Sequence, residues 1–215
     1  MTQRTRIKIC GLTREADVAA AVEAGADAIG FVLYDKSPRG VSVARAAELA
    51  RGLPPFVTPV GLFVNASDEH VAAAVAAVPT LLLQFHGDET PQACARPARP
   101  YLRAARVAAG FDLLDFATRF AHAQAILLDA HVEGYGGGGK VFDWSLIRSA
   151  VPLPVVLSGG LHAGNVIQGI QQLRPWAVDV SSGVESAKGI KDAEAIRRFC
   201  DAVREADARA AASIA

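Results

Sequence analysis

The sequence predicts a single (β/α)8 TIM barrel of the α/β class spanning residues 1–215, and three observations carry that expectation. Short aliphatic runs alternate with alanine-rich amphipathic stretches, eight of each. Most of the aliphatic runs are apolar at consecutive positions, which suits strands covered on both faces, and strand-helix-strand succession implies parallel pairing. The polar groups gather at one end of these runs, where the barrel fold keeps its catalytic loops. An open doubly wound sheet is the alternative, but it more often has about five to seven strands. At roughly 27 residues per unit the barrel is lean beside the ~250 residues typical of the fold.

Taken in order, the strand runs are RIKIC, AIGFVL, PVGLFV, TLLLQF, YLRAARV, AILLDA, PVVLS and AVDVS. Between them lie the helical patterns TREADVAAAVEAGA, SVARAAELARGL, SDEHVAAAVAAV, a short one at PQACAR, FDLLDFATRFA, DWSLIRSAV, AGNVIQGIQQL and DAEAIRRFCDAVREA. Asp192 reads as the N-cap of the last of these, and residues 207 to 215 as a frayed tail. The strand ends then supply Lys8, Cys10 and Gly11; Ser37, Pro38 and Arg39; Asn65; Gln84 and His86; Arg106; and Asp129. The last two supply Ser158, Gly159 and Gly160, then Ser181, Ser182 and Gly183. Taken one at a time these could be strand terminators; taken jointly they read as a site.

Composition removes several classes of function. Lys plus Arg and Asp plus Glu both number 22, so nothing points to a nucleic acid or an anionic membrane as the main partner, and anion binding must be local. Cys10, Cys94 and Cys200 are widely spaced, with no CxxC pair for a metal site or disulfide framework, which favours a reducing compartment. No stretch has the apolar length of a signal peptide or of a bilayer span, so the chain reads as cytoplasmic.

The most conspicuous motif is GYGGGGK, with five glycines in the six positions from Gly134 to Gly139. Gly134, Gly136 and Gly139 formally satisfy GxGxxG, but the acidic residue required about 20 positions on falls in an apolar segment. A Walker A loop fails because Val141 stands where the magnesium-binding hydroxyl belongs. With a strand before it and a helical pattern after it, the run reads as a lid made of Gly134, Gly136, Gly137, Gly138, Gly139 and Lys140, free to close over a substrate. A phosphate site is better sought at Ser158, Gly159, Gly160, Ser181, Ser182 and Gly183, because the loops after the last two barrel strands often cradle phosphate with backbone N–H groups. The alternative for these loops is a pair of tight turns without a ligand.

KICGL, GFVLYDKSPRGVS, VGLFVN, LQFHG, LLDA followed by GYGGGGKVFDW, LSGGL with Asn165, and DVSSGVE leading to KGIKD together resemble the phosphoribosylanthranilate isomerase family of tryptophan biosynthesis. The likeness runs from Arg6 to about Arg204; it departs at Phe85, usually leucine, and in the extra glycines of the lid. The resemblance implies an Amadori rearrangement of N-(5-phosphoribosyl)anthranilate to 1-(o-carboxyphenylamino)-1-deoxyribulose 5-phosphate without cofactor or metal. By similarity Asp129 is the general acid and Cys10 the base, with Arg39 a clamp for the anthranilate carboxylate. Lys8, Gln84, His86 and Asp179 are supporting residues, Lys8 being placed to lower the Cys10 thiol pKa.

Each assignment has a plainer counterpart: a buried core cysteine for Cys10, a solvated arginine for Arg39, a structural histidine for His86 and a solvated lysine for Lys140. Cys94 and Cys200 read as core residues outright. The rival functions are a histidine-pathway isomerase, which by resemblance would carry aspartate in place of Cys10, and a non-catalytic phosphosugar-binding barrel. The expected partner is a small phosphosugar, with no nucleic acid and no membrane, and the chain is expected to be a monomer or homodimer.

Overall fold

A computed structural model describes residues 4–130, 143–147 and 151–212. Eight parallel strands close on themselves: β1 (Arg6–Cys10), β2 (Ala28–Val32), β3 (Thr58–Phe63), β4 (Leu82–Phe85), β5 (Tyr101–Val107), β6 (Ala125–Ala130), β7 (Val155–Leu157) and β8 (Ala177–Val180). Closure is made by β1 against β8, with Arg6 opposite Ala177 and Ile9 opposite Val180. This is the predicted barrel, and closure removes the sheet edges that an open sheet would leave to be covered.

Strand alternation sorts the side chains into two cores. Outward residues such as Ile9, Phe31, Phe63, Leu128, Leu157 and Val178 meet the surrounding helices and are buried. Inward, Val60, Leu102, Ala104, Leu127, Val156 and Ala177 fill the lower barrel, so no pore runs through it. Above that apolar plug the inward positions become polar, which places the charged groups at the mouth formed by the strand C-termini.

The helices are α1 (Glu15–Glu23), α2 (Val43–Ala50), α3 (Asp68–Ala77), α4 (Pro91–Ala95), α5 (Leu113–Arg119), α6 (Val166–Leu173) and α7 (Ala193–Ala212). Local chemistry sets where they begin. Ser42, Ser67, Thr90 and Asp112 each accept a hydrogen bond from a first-turn N–H group of α2, α3, α4 and α5. Asp192 caps α7 as expected, accepting from the N–H groups of Glu194 and Ala195.

Two expectations need correction. The helix expected over DWSLIRSAV is, among the described residues, a single 3-10 turn at Trp144–Leu146, and Ile147 already has extended dihedrals. Pro152 and Pro154 follow closely, and a residue preceding proline is disfavoured in the helical region. Trp144 instead packs its ring over Gly169 of α6, where a methyl group would come within 3.2 Å of the indole. The tail expected to fray from Asp207 is helical as far as Ala212, because the buried stripe of Ile196, Phe199 and Val203 continues through Ala206. Asp207 also accepts hydrogen bonds from the Thr5 N–H and hydroxyl, at 2.9 and 2.7 Å, tying the last helix to the start of β1. Among the described residues no helix is long and apolar enough to cross a membrane.

Asp207→Ala would leave the buried Thr5 donors unpaired, a loss of about 1–3 kcal/mol on the usual scale for such groups. Urea unfolding should show a lower midpoint with an unchanged slope; an unchanged midpoint would mean that this tether adds nothing.

Candidate active site

Residues two apart on a strand share a face, so Lys8 and Cys10 both point into the barrel from β1. Parallel register sets Lys8 opposite Asp179 of β8, and Lys8 Nζ lies 2.8 Å from Asp179 Oδ1, both side chains being buried. Ser158 Oγ donates to the other carboxylate oxygen at 3.3 Å. Burial alone would pull the Lys8 ammonium down, but the facing Asp179 holds it above its ordinary range.

Cys10 ends the same strand beside Gly30, where an added methyl would approach Sγ to 2.7 Å and Lys8 Nζ to 3.0 Å. Only glycine on β2 leaves room for the thiol and the ammonium together. Burial pushes the Cys10 thiol up, and the opposing pull of Lys8 does not overcome it, with Asp179 adding to the rise. Lys8 thus pulls the thiol down as expected, but burial outweighs that pull and the net shift is upward. Cys94 and Cys200 are core residues as expected, their thiols pushed up by burial to about 11.

Asp129 ends the inward face of β6. Its Oδ1 accepts from the Ala130 N–H at 2.9 Å, and its Oδ2 lies 3.1 Å from Nε2 of His86. His86 Nδ1 is in turn 3.1 Å from the amide nitrogen of Gln84. These residues, read from the sequence only as lining the mouth, form a buried chain from β4 to β6. Behind them Gly159 has a φ of +80°, and a methyl there would come within 2.8 Å of Asp129 Oδ1 and 2.6 Å of the Ala130 nitrogen. The loop after β7 therefore lies directly against the carboxyl group.

That loop and the one after β8 also meet each other, since a methyl on Gly183 would come within 1.9 Å of the Leu161 carbonyl oxygen. Asn165 shapes the turn, donating to the Gly160 carbonyl and accepting from the His162 N–H. Among the described residues the N–H groups of Gly159, Gly160 and Gly183 have no protein acceptor, and they remain available to an anion. Ser182 opens a short 3-10 turn, Ser182–Val184, beside them. Ser158, expected in the cradle, faces the barrel interior. Its hydroxyl serves Asp179 and its N–H donates to the Leu128 carbonyl within the barrel.

Arg39 is not a solvated loop arginine. Its Nε and Nη2 make a paired contact of 2.7 and 2.8 Å with the carboxylate of Glu185, and Lys191 Nζ reaches the same carboxylate at 2.9 Å and the Ser181 carbonyl at 2.9 Å. One acid thus joins two buried cations, leaving one net positive charge. Burial opposes the charge on Glu185, yet Arg39 and Lys191 together hold its carboxyl below the usual range. For Lys191 burial prevails and draws the ammonium down. Glu185 and Lys191 were not singled out in the sequence. They stand on a small hairpin, β9 (Glu185–Ala187) with β10 (Ile190–Lys191), turned by Gly189 at a φ of +78°. Both lie in DVSSGVE and KGIKD, motifs that carry the resemblance, which assigns neither of them a role.

Asn65 and Arg106 serve the loops: Asn65 binds the Asp88 N–H and Glu89, and Arg106 pairs with Asp88. Gly134, Gly136, Gly137, Gly138, Gly139 and Lys140 lie outside the described residues.

Removing one partner of a buried ion pair is costly, about 3–5 kcal/mol, whereas replacing both by apolar groups is often neutral. Asp179→Leu should therefore destabilise strongly in a thermal or urea titration, and Lys8→Met with Asp179→Leu should recover most of that loss. Additive losses in the double variant would contradict the pairing.

A family model described as N-(5'-phosphoribosyl)anthranilate (PRA) isomerase matches residues 7–202 of the chain. The chain is 76% identical over 210 residues to the N-(5'-phosphoribosyl)anthranilate isomerase of Methylibium petroleiphilum, a match covering 98% of this chain and 99% of the relative. A solved phosphoribosyl anthranilate isomerase in complex with reduced 1-(o-carboxyphenylamino)-1-deoxyribulose 5-phosphate is 38% identical with a TM-score of 0.81, covering 94% of this chain and 99% of that one. A structure of monomers generated from the dimeric enzyme of Thermotoga maritima is 36% identical with a TM-score of 0.80, covering 93% and 98%.

Proposed function

The chain belongs to the N-(5'-phosphoribosyl)anthranilate isomerase family and catalyses that aldose-to-ketose isomerisation in tryptophan biosynthesis, and from this premise we propose that Asp129 is its general acid and Cys10 its general base. The observation that carries the proposal is the pair's setting. A thiol and a carboxyl end inward faces of β1 and β6 above an apolar plug, each flanked by a glycine whose methyl would displace it.

The rearrangement needs one group of each kind. Asp129 protonates the ribose ring oxygen, the bond from that oxygen to C1 breaks with its electron pair going to oxygen, and an iminium forms. Cys10, as thiolate, removes the C2 proton to give an enolamine. Tautomerisation then moves a proton from the C2 hydroxyl to C1, so that the product has the composition of the substrate. Lys8 and Lys191 act on the base step by reducing the cost of a buried thiolate.

The anionic ends of the substrate have matching sites. The free N–H groups of Gly159, Gly160 and Gly183, with Ser181 and Ser182, suit the phosphate. Arg39 suits the anthranilate carboxylate through Nη1, the nitrogen that Glu185 does not hold, and the extra positive charge of the Arg39, Glu185 and Lys191 group favours an anion there. The partner is therefore a small phosphosugar, and the dimeric relative is the precedent for a homodimer.

The test follows the loss of anthranilate-type fluorescence when the protein is added to freshly generated phosphoribosylanthranilate. Asp129→Asn and Cys10→Ala should each lower turnover by roughly 10² or more, the usual scale of acid-base contributions. Near-normal turnover in either variant would remove that residue from the chemistry.

A further inference from the structure

Gln84 occupies an unusual position for an amide. It is 0% exposed inside the barrel, level with Leu62 of β3 and Leu102 of β5, and among the described residues its Oε1 has no hydrogen-bond partner. Burying an amide with one end unpaired is unfavourable, so the site calls for something that leucine would not supply. What the amide does is meet His86: its nitrogen lies 3.1 Å from His86 Nδ1, two residues further along the same inward face.

The two ends of the imidazole agree on where its proton sits. With the amide nitrogen turned toward it, Nδ1 is the acceptor, and a neutral imidazole then carries its proton on Nε2. At the other end Nε2 faces Asp129 Oδ2 at 3.1 Å, and a carboxyl oxygen there is best served by an N–H. In the opposite tautomer, with the proton of Asp129 on Oδ1, two lone pairs would face each other at Nε2, and two N–H groups at Nδ1. The arrangement also distinguishes the two oxygens of Asp129, because Oδ2 is held by His86 while Oδ1, among the described residues, receives only the Ala130 N–H.

We infer that Gln84 is a positioning residue for the isomerisation: its amide locks His86 as the Nε2–H tautomer, which holds Oδ2 of Asp129 and leaves Oδ1 to carry the proton given to the sugar. The inference rests on the reading of Asp129 as the acid. When Oδ1 releases its proton to the ring oxygen, the negative charge left on the carboxylate meets two fixed N–H donors, from His86 and Ala130. Those donors interact more strongly with the charged carboxylate than with the neutral acid, so they stabilise the transition state more than the ground state. No proton leaves His86 in this step; it orients and solvates, and the transferred proton is the one on Asp129.

The tautomer is read directly from the ring-nitrogen resonances of His86 in protein labelled with 15N-histidine, assigned with His86→Asn. Wild type is expected to show a protonated Nε2 and a bare Nδ1. Gln84→Glu, whose carboxylate accepts rather than donates, is expected to bring a proton to Nδ1; Gln84→Met is expected to lose the single tautomer and to lower kcat by roughly 10- to 100-fold with little change in KM, the scale on which partners that orient a functional imidazole act. A protonated Nδ1 in neutral wild-type His86 overturns the lock, as does a Gln84→Met enzyme with wild-type resonances and wild-type kcat. The wild-type spectrum decides even if a variant fails to fold. Asp129→Asn is assayed alongside: full activity there overturns the acid's assignment, a failure separate from a wrong tautomer.

Discussion

The buried ion pair between Lys8 and Asp179 is the constraint around which the mouth of this barrel is arranged. A lysine ammonium is tolerated there because a carboxylate stands in register on the neighbouring strand, and that carboxylate in turn fixes Ser158. For the adjacent thiol of Cys10, burial outweighs the pull of Lys8, and the charge of Asp179 adds to the rise. The thiol therefore rests in its neutral form, and it sits within reach of a cation that eases its ionisation. The pair contributes position first and stability second, in keeping with the near balance of desolvation and attraction for buried ions.

The same economy applies around the rest of the mouth. Glu185 joins Arg39 to Lys191, and the spare positive charge lies where an anionic substrate end is needed although the chain as a whole has equal numbers of acidic and basic side chains. The loop after β8 approaches the loop after β7 so closely that only glycine fits at Gly183, and the loop after β7 lies so close to the end of β6 that only glycine fits at Gly159. Close approach and exposed backbone donors are thus one feature: the glycines that let the loops meet also leave N–H groups open for a phosphate. Gln84 and His86 complete the set by connecting β4 to Asp129 on β6.

Much of this arrangement is legible in the sequence, for reasons that differ by element. The eight strands are legible because a short run that is apolar at consecutive positions and bounded by polar residues suits a strand covered on both faces. Cys10, Asp129 and Gly159 are legible because the barrel fold puts function at strand ends. The pattern overstates the helix after β6, since WSLI has the hydrophobic spacing of a helix while the prolines that follow limit its length. Pattern alone does not reveal the partner of Arg39: Glu185 lies 146 positions away and only the closure of the barrel brings them together. Ser158 resembles a phosphate donor because a serine before two glycines reads as a loop. Strand register turns it inward to Asp179 instead. The direction of the Cys10 shift escapes the sequence for a quantitative reason, because a nearby cation is visible there and the extent of burial is not.

The most direct test of the acid-base account is the dependence of kcat/KM on pH for the unmodified protein. The thiol and the carboxyl must together hold one proton; above the thiol pKa they hold none, and nothing is left to protonate the ring oxygen. Because burial raises that pKa, the loss of activity on the alkaline side should come above the ordinary thiol value of about 8.5. An alkaline limb at or below neutral pH would contradict the account, since it would require a thiolate stabilised by Lys8 beyond what burial opposes.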